Sequence, residues 1–386
     1  MKLFGIKAVV VAAVLGIGGP ILEGQPHAQG GAHAVVQPNP SEAMNEPHKH
    51  AWNLFLAVNH PADLTQVRGT ADSTKKIGDS GIVVWETWKL ARTEVFLDPA
   101  TKPEPWETPA PSDEKIVDPP KSSVLVAELL RGKQGAGIQL DPGEPTNETR
   151  MNKATFDFIR DNGLFSIEGQ EKFMQAKMPA GEKMSFPIDS IEVKASWRRF
   201  TAEEEKPEIV DRYYTHRDTN GVLWGLATLH ILTKEVPNWF WTSFRQVDGP
   251  KPAFPQPDPV GRPPVLNGTV WENYELSGVA TEFVDSKGEP IILSDPIIEG
   301  GFEHSSCISC HAHAAIRTKV DSMRDEMPFF FGVDGAGQGL TPIGPPGRDT
   351  SLPVADQKNM FFNANGGLEF FQQDFVFALR RANSEK

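Results

Sequence analysis

The chain has 386 residues, enough for one large domain or two to three ordinary ones, and a formal net charge of −13. A hydrophobic content of 39% with nine Trp and 23 Phe excludes a disordered chain, while 34 Gly and 33 Pro exclude a bundle of long helices and predict a loop-rich fold. So acidic a surface repels phosphate backbones, so no nucleic acid is expected as a partner and a basic protein surface is the better complement.

The N-terminus, MKLFGIKAVVVAAVLGIGGPILEG, has the form of an export signal. Lys2 and Lys7 precede an apolar run, Ala8 to Ile17, that is too short to span a bilayer and is broken by Gly18, Gly19 and Pro20. These breaks argue against an uncleaved anchor. Ala32-His33-Ala34 offers a small-residue cleavage pattern, so residues 1–34 are expected to be removed, leaving a mature chain from Val35. Losing Lys2, Lys7 and Glu23, net +1, takes the charge from −13 to −14. No membrane span is expected after this cleavage, and the destination is periplasmic or secreted.

Residues 41–59 place Trp52, Phe55, Leu56 and Asn59 at helical spacing, with His48 and His50 at the polar start. The stretch 81–96 repeats the pattern with Val84, Trp85, Trp88 and Val95 or Phe96, and predicts a second amphipathic helix. Prolines recur from Asp98 to Pro120, as in an extended surface loop. Two short helices are expected within 151–177, separated at Gly163.

The period then changes. Ile191, Val193, Ala195 and Trp197 alternate with Glu192, Lys194, Ser196 and Arg198, which predicts a strand with one wet face. GVLWGLATLHILT (221–233) is apolar on both faces and predicts a central strand, with PNWFWTSFRQVD as its neighbour. The acidic run at 203–205 reads as a solvated loop. A Pro-rich loop from Pro250 to Pro264 and a weaker strand at 282–288 follow. The segment GLEFFQQDFVFALRRAN aligns Leu368, Phe371, Phe375 and Leu379 on one face of a last helix, although DFVFAL alone also suits a strand. The expected class is α+β in a single domain, 35–386. Its parts are a mainly helical and looped 35–185, a β-rich 186–300 and a C-terminal region, 301–386, with a helix over about 305–320.

Both cysteines of the chain lie in HSSCISCHAHAA, 304–315. A disulfide between Cys307 and Cys310 would close too short a loop to stabilise much, and an exported chain with two cysteines has no disulfide framework. A thioredoxin-like dithiol would sit early in a β-α-β unit. A zinc site from Cys307, Cys310, His304 and His313 lacks the usual spacing of the second pair. Random placement of two Cys and ten His gives C-x-x-C-H on the order of once in several thousand trials, and this spelling reads as covalent attachment of haem c. Two thiols three residues apart on one helical turn can each add to a porphyrin vinyl group while the next residue, His311, reaches the iron. Ser305 and Ser306 are candidate N-caps for that turn.

CISCH is similar to the attachment motif of c-type cytochromes. That resemblance makes Cys307 and Cys310 the thioether anchors and His311 the proximal iron ligand of one haem c. The match covers these five residues, whereas small soluble cytochromes carry the motif near the mature N-terminus. WGLATLHILTK, PNWFWTSFRQVD and DFVFAL also resemble segments of uncharacterised exported monohaem cytochrome c family proteins.

Candidates for the sixth iron position are His216, His230, His304, His313, Met323, Met327 and Met360. His230, in an otherwise apolar strand, ranks first, with a core histidine bonded to a backbone carbonyl as the plainer reading. Met360 and Met327, on segments that can return over the ring, rank second and third. Arg198, Arg199 and Arg317 are candidate propionate partners. A six-coordinate haem predicts an electron carrier with a redox partner protein. An open iron predicts an enzyme acting on peroxide, oxygen or a nitrogen oxide, or a ligand sensor. The carrier is the favoured expectation, with no catalytic side chain assigned.

Overall fold

The structure is a computed structural model that describes residues 37–108, 146–218, 220–299, 304–318, 361–362, 365 and 367–385, within one compact unit spanning Ala32–Lys386. The export segment, most of the loop expected to reach Pro120, and Met323, Met327 and Met360 lie outside the described residues.

Helices α1 (Pro40–Asn45) and α2 (Pro47–Val58) replace the single helix expected over 41–59. Pro47 lacks an N–H and pushes the preceding Glu46 out of helical geometry, to φ −133° and ψ 52°. The apolar stripe of α2 still works as expected. Trp52 and Phe55 are buried and meet Phe244 with ring centroids 5.1 and 4.4 Å apart. Full burial of each such side chain stabilises by about 1.5–3 kcal/mol.

The helix expected at 81–96 does not form. Val84–Thr87 makes a 3-10 turn, Lys89–Leu90 a short strand β1, and Ala91–Val95 a single wide turn. Trp85 and Trp88 are core residues all the same. Their spacing recorded burial, and the ladder between β1 and β2 (Thr146–Met151), with Lys89 opposite Met151, won over helix continuation. Two short strands thus stand within the part expected to be mainly helical and looped.

Helices α3 (Lys153–Asp161) and α4 (Ile167–Lys177) flank Gly163, whose φ of 69° suits glycine. Asn152 caps α3 by accepting from Thr155 N–H, and the same oxygen accepts from Ile191 N–H of β3 (Ile191–Arg199) at 3.0 Å. A short helix α5 (Pro207–Val210) leads to β4 (Thr215–Arg217).

Next come β5 (Leu223–Thr233), β6 (Phe240–Gln246) and β7 (Tyr274–Ala280). Among the described residues the sheet has seven antiparallel strands in the order β1-β2-β3-β5-β6-β7, with β4 pairing the start of β5. The central position of β5 beside β6 agrees with the sequence. The weak strand expected at 282–288 is a turn with one isolated bridge, Val284 to Pro290, and the neighbour of β6 is instead β7.

The sheet has two unlike faces. Val193, Ala195, Leu229, Ile231 and Phe244 point towards α2 and the apolar core. On the other face the register aligns Thr149, Lys194, His230, Ser243 and Gly278 across five strands. The alternation in β3 predicted this polar row as a wet face, yet His230, Ser243 and the neighbouring Glu192 are buried. The C-terminal region covers it.

Candidate functional site

Helix α6 (Cys307–His311) is one turn long and does not continue to 320. The chain turns after His311 into β8 (Ala315–Arg317), whose backbone is claimed by β9 (Phe370–Gln372), with Ile316 opposite Phe371. After β9 the chain forms a 3-10 turn, Phe377–Arg381, in place of the expected final helix. Ser306 occupies the N-cap position in extended geometry, but its hydroxyl makes no capping bond.

What anchors α6 is the carbonyl of Leu293. It accepts from the Cys307 N–H at 2.9 Å and the Cys307 thiol at 3.1 Å. Close approach of this segment to the sheet depends on Gly278, where an added Cβ would stand 2.7 Å from the Gln256 side chain and 3.0 Å from Leu293. Both thiols are unbridged. Burial pushes the Cys307 thiol well up and that of Cys310 up to about 12, with the Glu299 carboxylate adding in the same direction.

His311 lies against the edges of Trp241 and Phe377, with centroids 4.7 and 5.0 Å away. Its Nδ1 is 2.8 Å from the Phe375 carbonyl oxygen. Burial lowers its pKa to about 4, so the ring is neutral near pH 7. A neutral ring facing a carbonyl through Nδ1 carries its proton there, which leaves the Nε2 lone pair free to bind a metal.

His230 is 5% exposed, and its Nε2 has no hydrogen-bond partner among the described residues. The Asp295 Oδ2 oxygen is 4.0 Å from it, too far for a hydrogen bond. Burial, with Lys194 and His311 adding, takes its pKa to about 3. One ligand atom each of His230, Glu299 and Cys307 lies within 4.8 Å of the others. Burial pushes Glu299 up to about 7 against the pull of Lys194, and depresses the Lys194 ammonium. Lys194, Glu299, Cys310 and His311 nevertheless keep part of their surface accessible.

The structure thus brings Cys307, Cys310, His311 and His230 into one region on the polar face. It does not bring in the other histidines. His304 is exposed and packs on Phe254, His313 Nδ1 donates to the Ser309 carbonyl at 2.7 Å, and His216 pairs opposite Trp224 near the start of β5. The zinc set weighed from the sequence, with His304 and His313, is not the one whose donors converge; His230, Glu299 and Cys307 are. Arg198 is committed to Glu204 at 2.5 Å and stacks on Phe200, Arg199 is exposed, and Arg317 belongs to β8. Sequence reasoning missed Glu299 and Trp241 as site residues. The only signal for them was alternation in β6 and an isolated acidic residue between loops. No family model matches the chain, and comparison with curated proteins and with solved structures found no match.

Proposed function

We propose that this chain is an exported c-type cytochrome with one covalent haem, working as a single-electron carrier. The observation that carries the reading is a single helical turn presenting two free thiols followed by His311, whose Nδ1 is already held by the Phe375 carbonyl. These residues fit the group. Cys307 and Cys310 would hold it by thioethers and His311 by Nε2, while His230, whose Nε2 has no hydrogen-bond partner among the described residues, is the first candidate for a second iron ligand. When bound, the haem supplies a one-electron iron couple.

The chain's own residues supply the surroundings. Trp241, Phe375 and Phe377 shield the His311 ring from water, and the Phe375 carbonyl fixes its tautomer. Low exposure of His230 and Cys307 limits solvent at the site, which favours a carrier over a catalyst open to substrate. The acidic chain, −13 overall, suits a redox partner with basic surface. Among the described residues no helix is long and apolar enough to cross a membrane.

The test is chemical. Protein matured in a cell envelope able to attach haem is expected to keep its pigment after denaturation and extraction with acidic organic solvent. Pigment that extracts, or a colourless protein, refutes the reading. Addition of carbon monoxide then separates roles: an unchanged low-spin spectrum supports the carrier, and a gas-binding high-spin spectrum supports the open-iron enzyme. A second reading, a zinc-type ion held by His230, Glu299 and Cys307, is favoured by the convergence of those three donors. Stoichiometric zinc in colourless protein would establish it instead.

A further inference from the structure

Two consecutive residues beside His311 have left-handed backbones. Among the described residues the non-glycine positions with positive φ are Trp239 at 61°, Asp374 at 47° and Phe375 at 68°. Left-handed geometry is uncommon for such residues, and it persists where the surroundings enforce it. The second of these residues, Asp374, is held in an ion pair. Lys234 Nζ, at the start of the β5–β6 connection, is 2.7 Å from Asp374 Oδ1, and both side chains are nearly buried. The other Asp374 oxygen accepts from Phe186 N–H at 2.7 Å, and Lys234 also donates to the Pro237 carbonyl at 3.0 Å. The next residue along, Phe375, supplies the carbonyl that holds His311 Nδ1.

We propose that the Lys234–Asp374 pair is a positioning device for His311, resting on the haem reading above. It clamps the left-handed Asp374-Phe375 turn so that the Phe375 carbonyl stays on Nδ1–H, and so sets the ring's tautomer and the electron density it lends to a metal at Nε2. A strong Nδ1–H bond makes imidazole a better donor, which favours oxidised iron and lowers the reduction potential. Loosening the clamp weakens that bond. Neither Lys234 nor Asp374 touches the reacting atoms, so their role is exerted through Phe375.

The test uses Asp374→Asn, Lys234→Gln and Lys234→Arg in the full chain. Asparagine tolerates left-handed geometry, so the first variant removes the charge pair and leaves the turn accessible. Lys234→Gln alters no strained residue. Two readouts are taken: exchange of the His311 Nδ1 proton by nitrogen-15 NMR, and the reduction potential of pigmented protein. Exchange is expected to quicken on the order of tenfold in Asp374→Asn and Lys234→Gln, and to stay near native in Lys234→Arg, which preserves the pair.

The potential is expected to rise in both charge-removing variants. A bare electrostatic effect would instead raise it for Asp374→Asn and lower it for Lys234→Gln, and opposite signs overturn the proposal. Unchanged proton exchange in both variants overturns it as well. Failure of the haem reading shows separately as colourless protein. In that case exchange and tautomer of His311 in the pigment-free chain decide the clamp by the same criterion.

Discussion

Replacing His230 by leucine separates two things the imidazole does, with effects of opposite sign. In the pigment-free chain its Nε2 is buried without a hydrogen bond, 4.0 Å from the Asp295 carboxylate. An unsatisfied polar group of this kind costs about 1–3 kcal/mol, whereas leucine on the same face of β5 would meet buried neighbours at no such cost. After allowance for imperfect repacking, His230→Leu is expected to stabilise pigment-free protein by about 1 kcal/mol, a rise of about 2 °C in Tm. In the pigmented protein the same change removes the first candidate for the sixth iron position. Its spectrum is expected to turn high-spin and to respond to carbon monoxide. Urea unfolding of the pigment-free pair and absorption spectra of the pigmented pair measure both effects. A variant less stable by 1 kcal/mol or more would mean that the imidazole is well bonded in the native chain. An unchanged low-spin spectrum would remove His230 as the distal ligand and pass the role to Met360 or Met327.

Other consequences do not depend on the proposed haem. Both ring nitrogens of buried His50 face carboxylate oxygens, Glu235 at 2.6 Å and Glu42 at 3.1 Å, which suits a doubly protonated ring. Burial lowers the His50 pKa, but the bonds and charges of Glu235 and Glu42 outweigh it and leave the pKa raised above 6.5. A raised histidine stabilises fully below 6.5 and loses that contribution as pH climbs through the folded value. Glu42 and Glu235 are lowered from 4.5 despite burial, chiefly by bonds from Asn53 and His50 respectively, and their contributions disappear as pH falls through the folded values. Urea titrations of wild type should therefore decline on the alkaline side of 6.5, and His50→Gln, less stable by about 2–4 kcal/mol at pH 6, should not. An identical pH profile in the variant would contradict this. Gly278→Val should push Gln256 and Leu293 away, costing about 1–3 kcal/mol and exposing Cys307 to thiol reagents in pigment-free protein. Unchanged thiol reactivity would detach Leu293 from the anchoring role. Asn152→Ala should cost about 1–3 kcal/mol in urea unfolding, because one side chain caps α3 and bonds both Ile191 N–H and the Asp189 carbonyl.

What the sequence revealed, and what it hid, follows from what its periodicities measure. The core of the sheet was legible because β5 is largely apolar on both faces, and Gly163 marks the end of α3. The stretch 81–96 misled because Trp85 and Trp88 repeat at a spacing that suits any segment burying one side, and only the remote strand β2 decides against helix. β7 was passed over because Ser277 and Gly278 interrupt its apolar pattern, although Gly278 is what lets the Leu293 segment close on the sheet.

The most instructive error is the wet face of β3. Alternation reports that a face is polar, not what covers it, and solvent is only one possible cover. Lys194, His230 and Ser243 form one row across three strands, and the segment bearing Cys307 closes over that face. A polar row placed under a lid of protein costs stability unless some group uses it. If the proposed haem attachment holds, the thiols and His311 were readable because that chemistry demands a local spelling. Their supports were not, because Leu293, Phe375, Asp374 and Lys234 act by fixing backbone carbonyls and turns, and a carbonyl has no letter of its own in the sequence.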